Sequence, residues 1–259
     1  MKKMRSVICA ALSALLLLPC AVKAPRVTAE ESKWDNEINF DSVEEIEENF
    51  VFHFVSAQNE RRGDEFDYSW KLEDGAVKRV GNIDAAGDTR NIAIMTYTGN
   101  VYSDFELSVD IRCGTTTSYW PVVGVRQQIP GKYYTTEGGG TGVFMQQNGK
   151  ITLWGPISGG IVEKDTPDVS TYYPSVWHNL RIVALGTVLT VYLDGTEVLS
   201  SSVLSTDYVK GYISLQSVNN DCSFDNFKIR DLSSASEVKN EENLYHRADE
   251  GTPLDELIK

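Results

Sequence analysis

Few residues of this sequence have the types and spacing that catalysis requires. The three histidines, His53, His178 and His246, are not separated as metal ligands are. Residues 155–159 read Gly-Pro-Ile-Ser-Gly, which lacks the spacing of a nucleophile elbow. The pair Gly131-Lys132 lacks the context of a phosphate-binding loop. The sequence therefore gives no support for metal, nucleophilic or phosphate chemistry.

A second group of residues could bind a ligand by stacking and hydrogen bonding. Asn148-Gly149 predicts a two-residue hairpin turn, which sets Val143 opposite Trp154. Phe144 then lies on the other, more apolar face, which we expect to point inward, and Trp154 points outward. The same alternation along residues 122–128 places Arg126 and Gln128 outward. The candidate ligand-binding residues are Trp154, Arg126 and Gln128, together with Trp120, Tyr133 and Tyr134 on adjacent loops.

These side chains must be positioned by β-strands, because the chain reads as about a dozen short apolar runs separated by turns. Residues 105–112 alternate strictly between apolar and polar side chains, which is typical of a half-buried strand. Asp194-Gly195 predicts a second tight hairpin. Without long helical patterns between them, such strands pair mainly antiparallel. The sequence therefore predicts an all-β sandwich or barrel.

One short helix is expected before this series of strands. Ser42 and Glu45 form a capping-box pattern, which predicts a helix over about residues 43–49 and no other substantial helix before the tail. The strands make one domain over residues 36–232, preceded by a leader at residues 30–35. Residues 233–259 are polar and charged, and we interpret them as a disordered tail or a linker.

The first 29 residues have the pattern of a secretory signal peptide. Lys2, Lys3 and Arg5 precede an apolar run over residues 7–18, which is too short to span a membrane. Small-residue cleavage patterns end at positions 24 and 29. Lipid attachment at Cys20 is the alternative, although Pro19 stands where a lipobox has a small residue. We expect a secreted protein, and no later stretch is long and apolar enough to be a membrane span.

The charge balance excludes several classes of partner. The chain has 24 Lys and Arg against 37 Asp and Glu, a net charge of −13. Removal of residues 1–29 takes away five positive charges and makes the net charge −18. Nucleic acids and anionic membrane surfaces need clustered positive charge, so neither is an expected partner. Acidic polymers are disfavoured for the same reason.

The second half of the chain resembles the concanavalin A-like lectin/glucanase superfamily. The resemblance rests on the order of four segments, Trp-His-Asn-Leu-Arg-Ile at 177–182, Val-Tyr-Leu-Asp-Gly at 191–195, Gly-Tyr-Ile-Ser-Leu-Gln at 211–216 and Phe-Asp-Asn-Phe-Lys-Ile at 224–229. Laminin-G-like modules and the 3-keto-disaccharide hydrolase domain are the nearest branches. The resemblance implies a two-sheet antiparallel jelly-roll sandwich, a fold commonly used on carbohydrate.

The sequence departs from the catalytic motifs of these relatives. Glucanases of this fold use Glu-x-Asp-x-x-Glu, whereas residues 65–70 read Glu-Phe-Asp-Tyr-Ser-Trp and lack the last acid. The 3-keto-disaccharide hydrolase branch typically has Leu-Gln-Asp-His, whereas residues 215–218 read Leu-Gln-Ser-Val.

The resemblance and these departures together predict a secreted module that binds a neutral glycan without catalysis. The alternatives are a glycoside hydrolase of the 3-keto-disaccharide type and a laminin-G-like protein-interaction domain. No cofactor is expected, although laminin-G-like relatives commonly bind calcium, and Asp194 and Asp225 could be invoked as ligands.

Cys113 and Cys222, which remain after removal of residues 1–29, are candidates for a disulfide. Setting Phe227 opposite Leu107 brings Cys113 to Asp221, one residue short of Cys222. A β-bulge near residues 224–227 would correct that offset. We therefore predict a Cys113–Cys222 disulfide, with two buried thiols as the alternative.

Overall fold

Sixteen strands and two short helices make up the described part of the chain. The computed structural model describes residues 34–56, 61–80, 91–114, 120–134, 137–146, 149–158, 160–165 and 175–233. All of them fall within one unit, Lys33–Lys259. The predicted signal peptide, Cys20, His246 and the tail after residue 233 lie outside the described residues.

The elements follow one another in this order: β1 (Asn36–Ile38), α1 (Val43–Asn49), β2 (Phe50–Ser56), β3 (Arg61–Gly63), α2 (Phe66–Ser69), β4 (Trp70–Glu73), β5 (Ala76–Arg79), β6 (Asn91–Tyr97), β7 (Phe105–Arg112), β8 (Pro121–Gln127), β9 (Thr141–Met145), β10 (Lys150–Trp154), β11 (Val162–Asp165), β12 (Trp177–Leu185), β13 (Val188–Leu193), β14 (Thr196–Ser202), β15 (Tyr212–Val218) and β16 (Ser223–Asp231). Neither helix has the length and hydropathy that a membrane-spanning helix needs among the residues described.

The strands form two antiparallel sheets that pack face to face. Sheet A has the order β14-β13-β12-β7-β16-β5-β4, and β1 pairs with β16. Sheet B has the order β11-β10-β9-β8-β15-β6-β2-β3. Alternate residues of both sheets, such as Leu107 and Ile182 in sheet A and Met95 and Leu215 in sheet B, fill the core between them. The all-β, two-sheet jelly-roll prediction is confirmed.

The predicted helix is confirmed as α1, and the structure contains a second, four-residue helix, α2. Glu45 donates its backbone N–H to Ser42 Oγ at 3.1 Å, and Glu45 Oε2 accepts from Asp41 N at 2.9 Å. These bonds satisfy N–H groups that a helix start leaves without partners. The single turn α2 was not predicted. Its N-cap, Glu65, makes no side-chain capping bond, so the local sequence carries no start signal.

The two predicted hairpins have different outcomes. Leu193 pairs with Thr196, and Asp194 and Gly195 both have positive φ, which confirms that two-residue turn. In the β9–β10 hairpin the backbone bond from Gln146 N to Lys150 O leaves three loop residues instead of two. Val143 therefore pairs with Leu153, and Trp154 with Gly142. This one-residue shift turns Phe144 to the outer face, contrary to the prediction.

The β7–β16 pairing corrects both the predicted register and the disulfide. Ile229 lies opposite Leu107, two residues from the predicted partner, so the same side chains still face the core. The predicted bulge is confirmed between Asp225 and Lys228, and the register beyond it continues toward Cys113 and Cys222.

Both cysteines are buried thiols, so the predicted disulfide is not formed in the structure. The Cys113 thiol instead donates to the Met145 carbonyl of sheet B at 3.6 Å. Burial raises the pKa of the Cys222 thiol.

Candidate functional site

The outer face of sheet B carries a cluster of five aromatic rings, which we call the aromatic cluster. Its members are Trp120, Tyr133, Tyr134, Phe144 and Trp154. Phe144 and Trp154 extend from β9 and β10, and the other three lie next to or within the connections that flank β8. Apolar outer-face residues of β2, β6, β8 and β15 support the rings, namely Val55, Ile92, Ile94, Val122 and Val218.

The rings of the aromatic cluster contact one another mainly edge to face. The Trp154 centroid lies 5.8 Å from that of Tyr134, with planes at 79°, and 6.0 Å from that of Phe144. Trp120 meets Phe144 at 6.5 Å and 87°. Tyr134 also contacts Tyr133 at 4.2 Å. This packing fixes the orientations of both tryptophans, because each ring is held by at least one neighbour.

Only part of the aromatic cluster is open to solvent. Tyr133 is 2% exposed, and Tyr134 and Phe144 are each 5% exposed. Trp120 and Trp154 are partly exposed. The two tryptophans therefore form the open edge of the aromatic cluster, and the buried rings form its support.

The centre of the outer face is covered by the described residues of the connection between β8 and β9, 128–134 and 137–140, which we call the β8–β9 loop. Gly131 N donates to Thr96 Oγ1 at 3.2 Å, and Gln127 Nε2 donates to the Lys132 carbonyl at 2.6 Å. Beneath the loop, the face is polar and fully buried at Thr96, Ser214 and Gln216. An open face was expected from the alternation pattern, and that expectation is wrong for this central region.

Beneath the β8–β9 loop, two buried glutamine side chains have a carbonyl oxygen that accepts no hydrogen bond from the described residues. Gln216 donates Nε2 to Ser214 Oγ at 2.8 Å, but its Oε1 atom has no hydrogen-bond partner in the described part of the chain. Gln127 Oε1 is also buried without a hydrogen-bond partner among the described residues. A β-carbon at position 124 would lie 2.7 Å from Gln216 Nε2. Glycine at this position therefore leaves room for the Gln216 amide.

Arg126 does not belong to the aromatic cluster, contrary to the prediction. Its backbone has φ +53°, and the β8–β15 register is irregular at the same level. The residue is 3% exposed, and its guanidinium donates to the carbonyls of Ser103 and Gly186, at 2.8 and 2.7 Å through Nη2. Asp104 Oδ1 lies 3.6 Å from Nη2. Arg126 is thus a buried structural cation, and burial lowers its pKa to about 10.

Gln128 also has a structural role in place of the predicted outward position. Its Nε2 atom donates to the Arg126 carbonyl at 2.9 Å and to the Lys210 carbonyl at 2.8 Å. These bonds hold the start of the β8–β9 loop against the segment before β15. The structure therefore brings together four of the six predicted ligand-binding residues. The other two, Arg126 and Gln128, donate hydrogen bonds to nearby backbone carbonyls.

A cavity of about 830 Å³ opens beside α1, β2, α2 and β4, and sequence reasoning missed it. We call it the lateral cavity. Phe52, Phe66 and Trp70 form apolar walls, with the first two rings 5.3 Å apart. The carboxylates that line it are Glu47, Asp64, Glu65 and Asp67. The only signal in the sequence was the acid-aromatic run over residues 65–70.

The acids of that run do not form a strand. Glu65 is the N-cap of α2 and Asp67 lies in its first turn. The alternation that would aim two carboxylates to one face of a sheet is therefore absent at this position.

The two aspartates considered for calcium already have other contacts. Asp194 accepts from Asn179 N at 2.9 Å and lies 2.7 Å from His178 Nδ1. Asp225 lies directly opposite Asp110, and burial is the main cause that raises its pKa. Across the described ranges, no three His, Cys, Asp or Glu side chains converge as a metal site requires. Calcium binding stays a prediction.

Several solved structures have a similar backbone at low sequence identity. LamAcat from Zobellia galactanivorans is 13% identical, covers 76% of this chain and 97% of its own, and has a TM-score of 0.51. A protein with a galectin-like fold from Bacillus subtilis is 9% identical, with 78% and 97% covered and a TM-score of 0.52. A GlcNAcα1-4Gal-releasing endo-β-galactosidase from Clostridium perfringens is 12% identical, with 76% and 62% covered and a TM-score of 0.51.

The sequence itself identifies the family. None of the curated proteins matches the chain. The family model described as the 3-keto-alpha-glucoside-1,2-lyase-like domain matches residues 53–230, which is more than half of the chain and spans β2 to β16. The protein therefore belongs to the 3-keto-alpha-glucoside-1,2-lyase-like domain family.

Proposed function

We propose that this domain binds a neutral glycan at the open edge of the aromatic cluster, without catalysing a reaction there. The observation that carries the proposal is the contrast between two partly exposed tryptophans, Trp120 and Trp154, and the buried rings that fix them. A rigid indole loses little conformational entropy when the apolar face of a sugar stacks on it. Membership of a family described by a glucoside chemistry supports the choice of ligand class.

The charge of the chain supports a neutral glycan over an acidic one. At a net charge of −13, the protein repels uronate or sulfate groups at long range. The cation predicted to face the ligand, Arg126, is instead buried against Asp104 and two carbonyls. The described part of the aromatic cluster thus offers stacking surfaces and no charged group for an anionic sugar.

The experiment is a glycan array probed with the tagged domain, residues 30–259, in buffer with calcium and in buffer with EDTA. Wild type should retain neutral glycans, and retention in EDTA would show that calcium is not needed. Trp154→Ala, applied to the same array, should lose the same spots. A wild-type domain that retains only acidic glycans, or none, contradicts the proposal.

Glycan cleavage is the second candidate function, and the lateral cavity is the observation that favours it. Carboxylates and aromatic rings line a volume large enough for a disaccharide. Two carboxyl groups on opposite sides of a glycosidic bond are the usual requirement for hydrolysis. Incubation with a 3-keto-α-glucoside tests this function. Release of free sugar by wild type, lost in Glu65→Gln or Asp67→Asn, would assign the cavity an enzymatic role.

We also propose that the chain is secreted, with residues 1–29 removed. The basic start and the short apolar run support this reading. N-terminal sequencing of protein from the culture medium should begin near residue 25 or 30. Recovery only in the membrane fraction, with a lipid on Cys20, would favour anchoring instead.

A further inference from the structure

Two arginines of the described residues, Arg79 and Arg126, are buried, and they differ in their counter-ions. Arg126 is 3% exposed and has Asp104 at 3.6 Å. Arg79 is 1% exposed, and no carboxylate of the described residues pairs with it. A buried guanidinium without a counter-ion costs several kcal/mol in general, roughly the penalty for an uncompensated internal charge. Arg79 therefore needs a neutralising charge that these carboxylates do not supply.

The position of Arg79 is fixed by backbone bonds at the end of β5. Trp70 lies directly opposite it on β4, so the two side chains share the inner face of sheet A. Nη1 donates to the Ser69 carbonyl at 3.0 Å and to the Val80 carbonyl. The guanidinium carbon lies 5.3 Å from the Phe54 ring centroid. These contacts use one nitrogen and one face of the cation.

The remaining donors around this position lack acceptors. Arg79 Nε and Nη2 are buried and have no hydrogen-bond partner in the described ranges. The same holds for Ser69 Oγ and Trp70 Nε1, which belong to the two residues next to Arg79 across the β4–β5 pair. Native proteins rarely leave buried donors unmet, and such groups signal an ion or water that completes them. Four such atoms belong to three residues in direct contact, since Trp70 lies opposite Arg79 and the Ser69 carbonyl accepts from its guanidinium, and we call these atoms the donor cluster.

The electrostatics of the cluster favour an anion over water. Burial is the largest influence on Arg79 and lowers its pKa to about 10. The smaller influences come from Cys222 and Tyr68, and no Asp or Glu contributes. Water would satisfy donors but leave the positive charge uncompensated, whereas an anion does both. Although the chain as a whole is negatively charged, none of the carboxylates that the structure describes forms an ion pair with Arg79.

We infer that Arg79, Ser69 and Trp70 form a binding site for a small inorganic anion of halide size. The anion would accept hydrogen bonds from Arg79 Nε or Nη2 and from the neighbouring hydroxyl or indole donor. It would serve as the counter-ion that Asp104 supplies to Arg126. The site is independent of the glycan proposal, because Arg79 faces the interior between the sheets and the aromatic cluster lies on the outer face of sheet B.

Bromide soaked into crystals of the wild-type protein locates such an ion directly. We expect an anomalous peak within hydrogen-bond distance, about 3.5 Å, of Arg79 Nε or Nη2. A water molecule or a carboxylate of the protein itself at that position, with no peak, would overturn the inference.

Thermal unfolding tests the same site in solution. At equal ionic strength, chloride should raise the Tm above its value in gluconate, a bulky anion, by about 5–10 °C once chloride exceeds its Kd a hundredfold. Arg79→Met should abolish this difference, and replacement of an unpaired buried charge by an apolar side chain of similar length is tolerated in other proteins. Lys78→Met removes a neighbouring, half-buried cation and should keep the difference. An equal chloride effect in Arg79→Met and wild type would contradict the site, and the bromide experiment decides if that variant does not fold.

Discussion

A β-carbon added to Gly131 would lie 2.4 Å from Cγ of His53, closer than any real contact of that kind. The β8–β9 loop therefore rests on β2 only because residue 131 has no side chain. Gly131 also has φ +73° and donates to Thr96 Oγ1 of β6. One position thus couples the loop to two strands of sheet B and determines how much of its outer face is covered.

Gly131→Ala should displace the β8–β9 loop and lower the free energy of unfolding by about 2–4 kcal/mol, because both the backbone and the His53 contact oppose a side chain. Gly75→Ala is the matched control, since Gly75 has the same φ of +73° and nothing within 4 Å of an added β-carbon. Its loss should be about 1 kcal/mol. Urea denaturation measures both, and equal losses in the two variants would show that the loop does not rest on His53.

Asp104→Ala should destabilise the fold strongly, because it leaves Arg126 buried without a counter-ion. The free energy of unfolding should fall by about 3–5 kcal/mol. Gly186 N would also lose its acceptor, Asp104 Oδ1, at 2.8 Å. Glu37→Ala is the control, because the Glu37–Lys228 pair is partly exposed and should contribute less than about 1 kcal/mol. Similar losses from the two variants would argue against a structural role for the buried pair.

The two cysteines of residues 30–259 should titrate as thiols in the unfolded protein without reductant. In the folded protein they should react slowly, because both are buried and burial raises the pKa of Cys222 well above pH 8. A colorimetric thiol assay before and after denaturation checks this. If thiols appear only after reduction, the chain forms the disulfide that the structure lacks.

Strand pairing was predictable because apolar side chains must face the core at every second residue. That rule tolerates a shift of two, which is the error made for β7 and β16, and it gave the correct inward face for Leu107 and Ile229. It does not tolerate a shift of one. The third loop residue before Lys150 therefore moved Phe144 to the outer face and into the aromatic cluster.

The covered part of the site depends on contacts that no local pattern encodes. Arg126 does not point outward because its φ is positive, which breaks the alternation of the strand. The local sequence Val-Arg-Gln does not predict a positive φ. The β8–β9 loop covers His53 through a glycine that the sequence shows only as part of a Gly-Lys pair. The lateral cavity is formed by α1, β2, α2 and β4, so its lining joins segments up to 29 residues apart in sequence, Val43 to Leu72.

Calorimetric titration of the domain with the best glycan from the array tests the central proposal most directly. Trp154→Ala should weaken binding at least tenfold, because it removes a stacking surface worth about 1.4 kcal/mol or more. Trp177→Ala removes an exposed tryptophan from sheet A, where it contacts Arg112, and should leave the affinity unchanged. Equal affinity in wild type and Trp154→Ala, with both folded, would contradict glycan binding at the aromatic cluster.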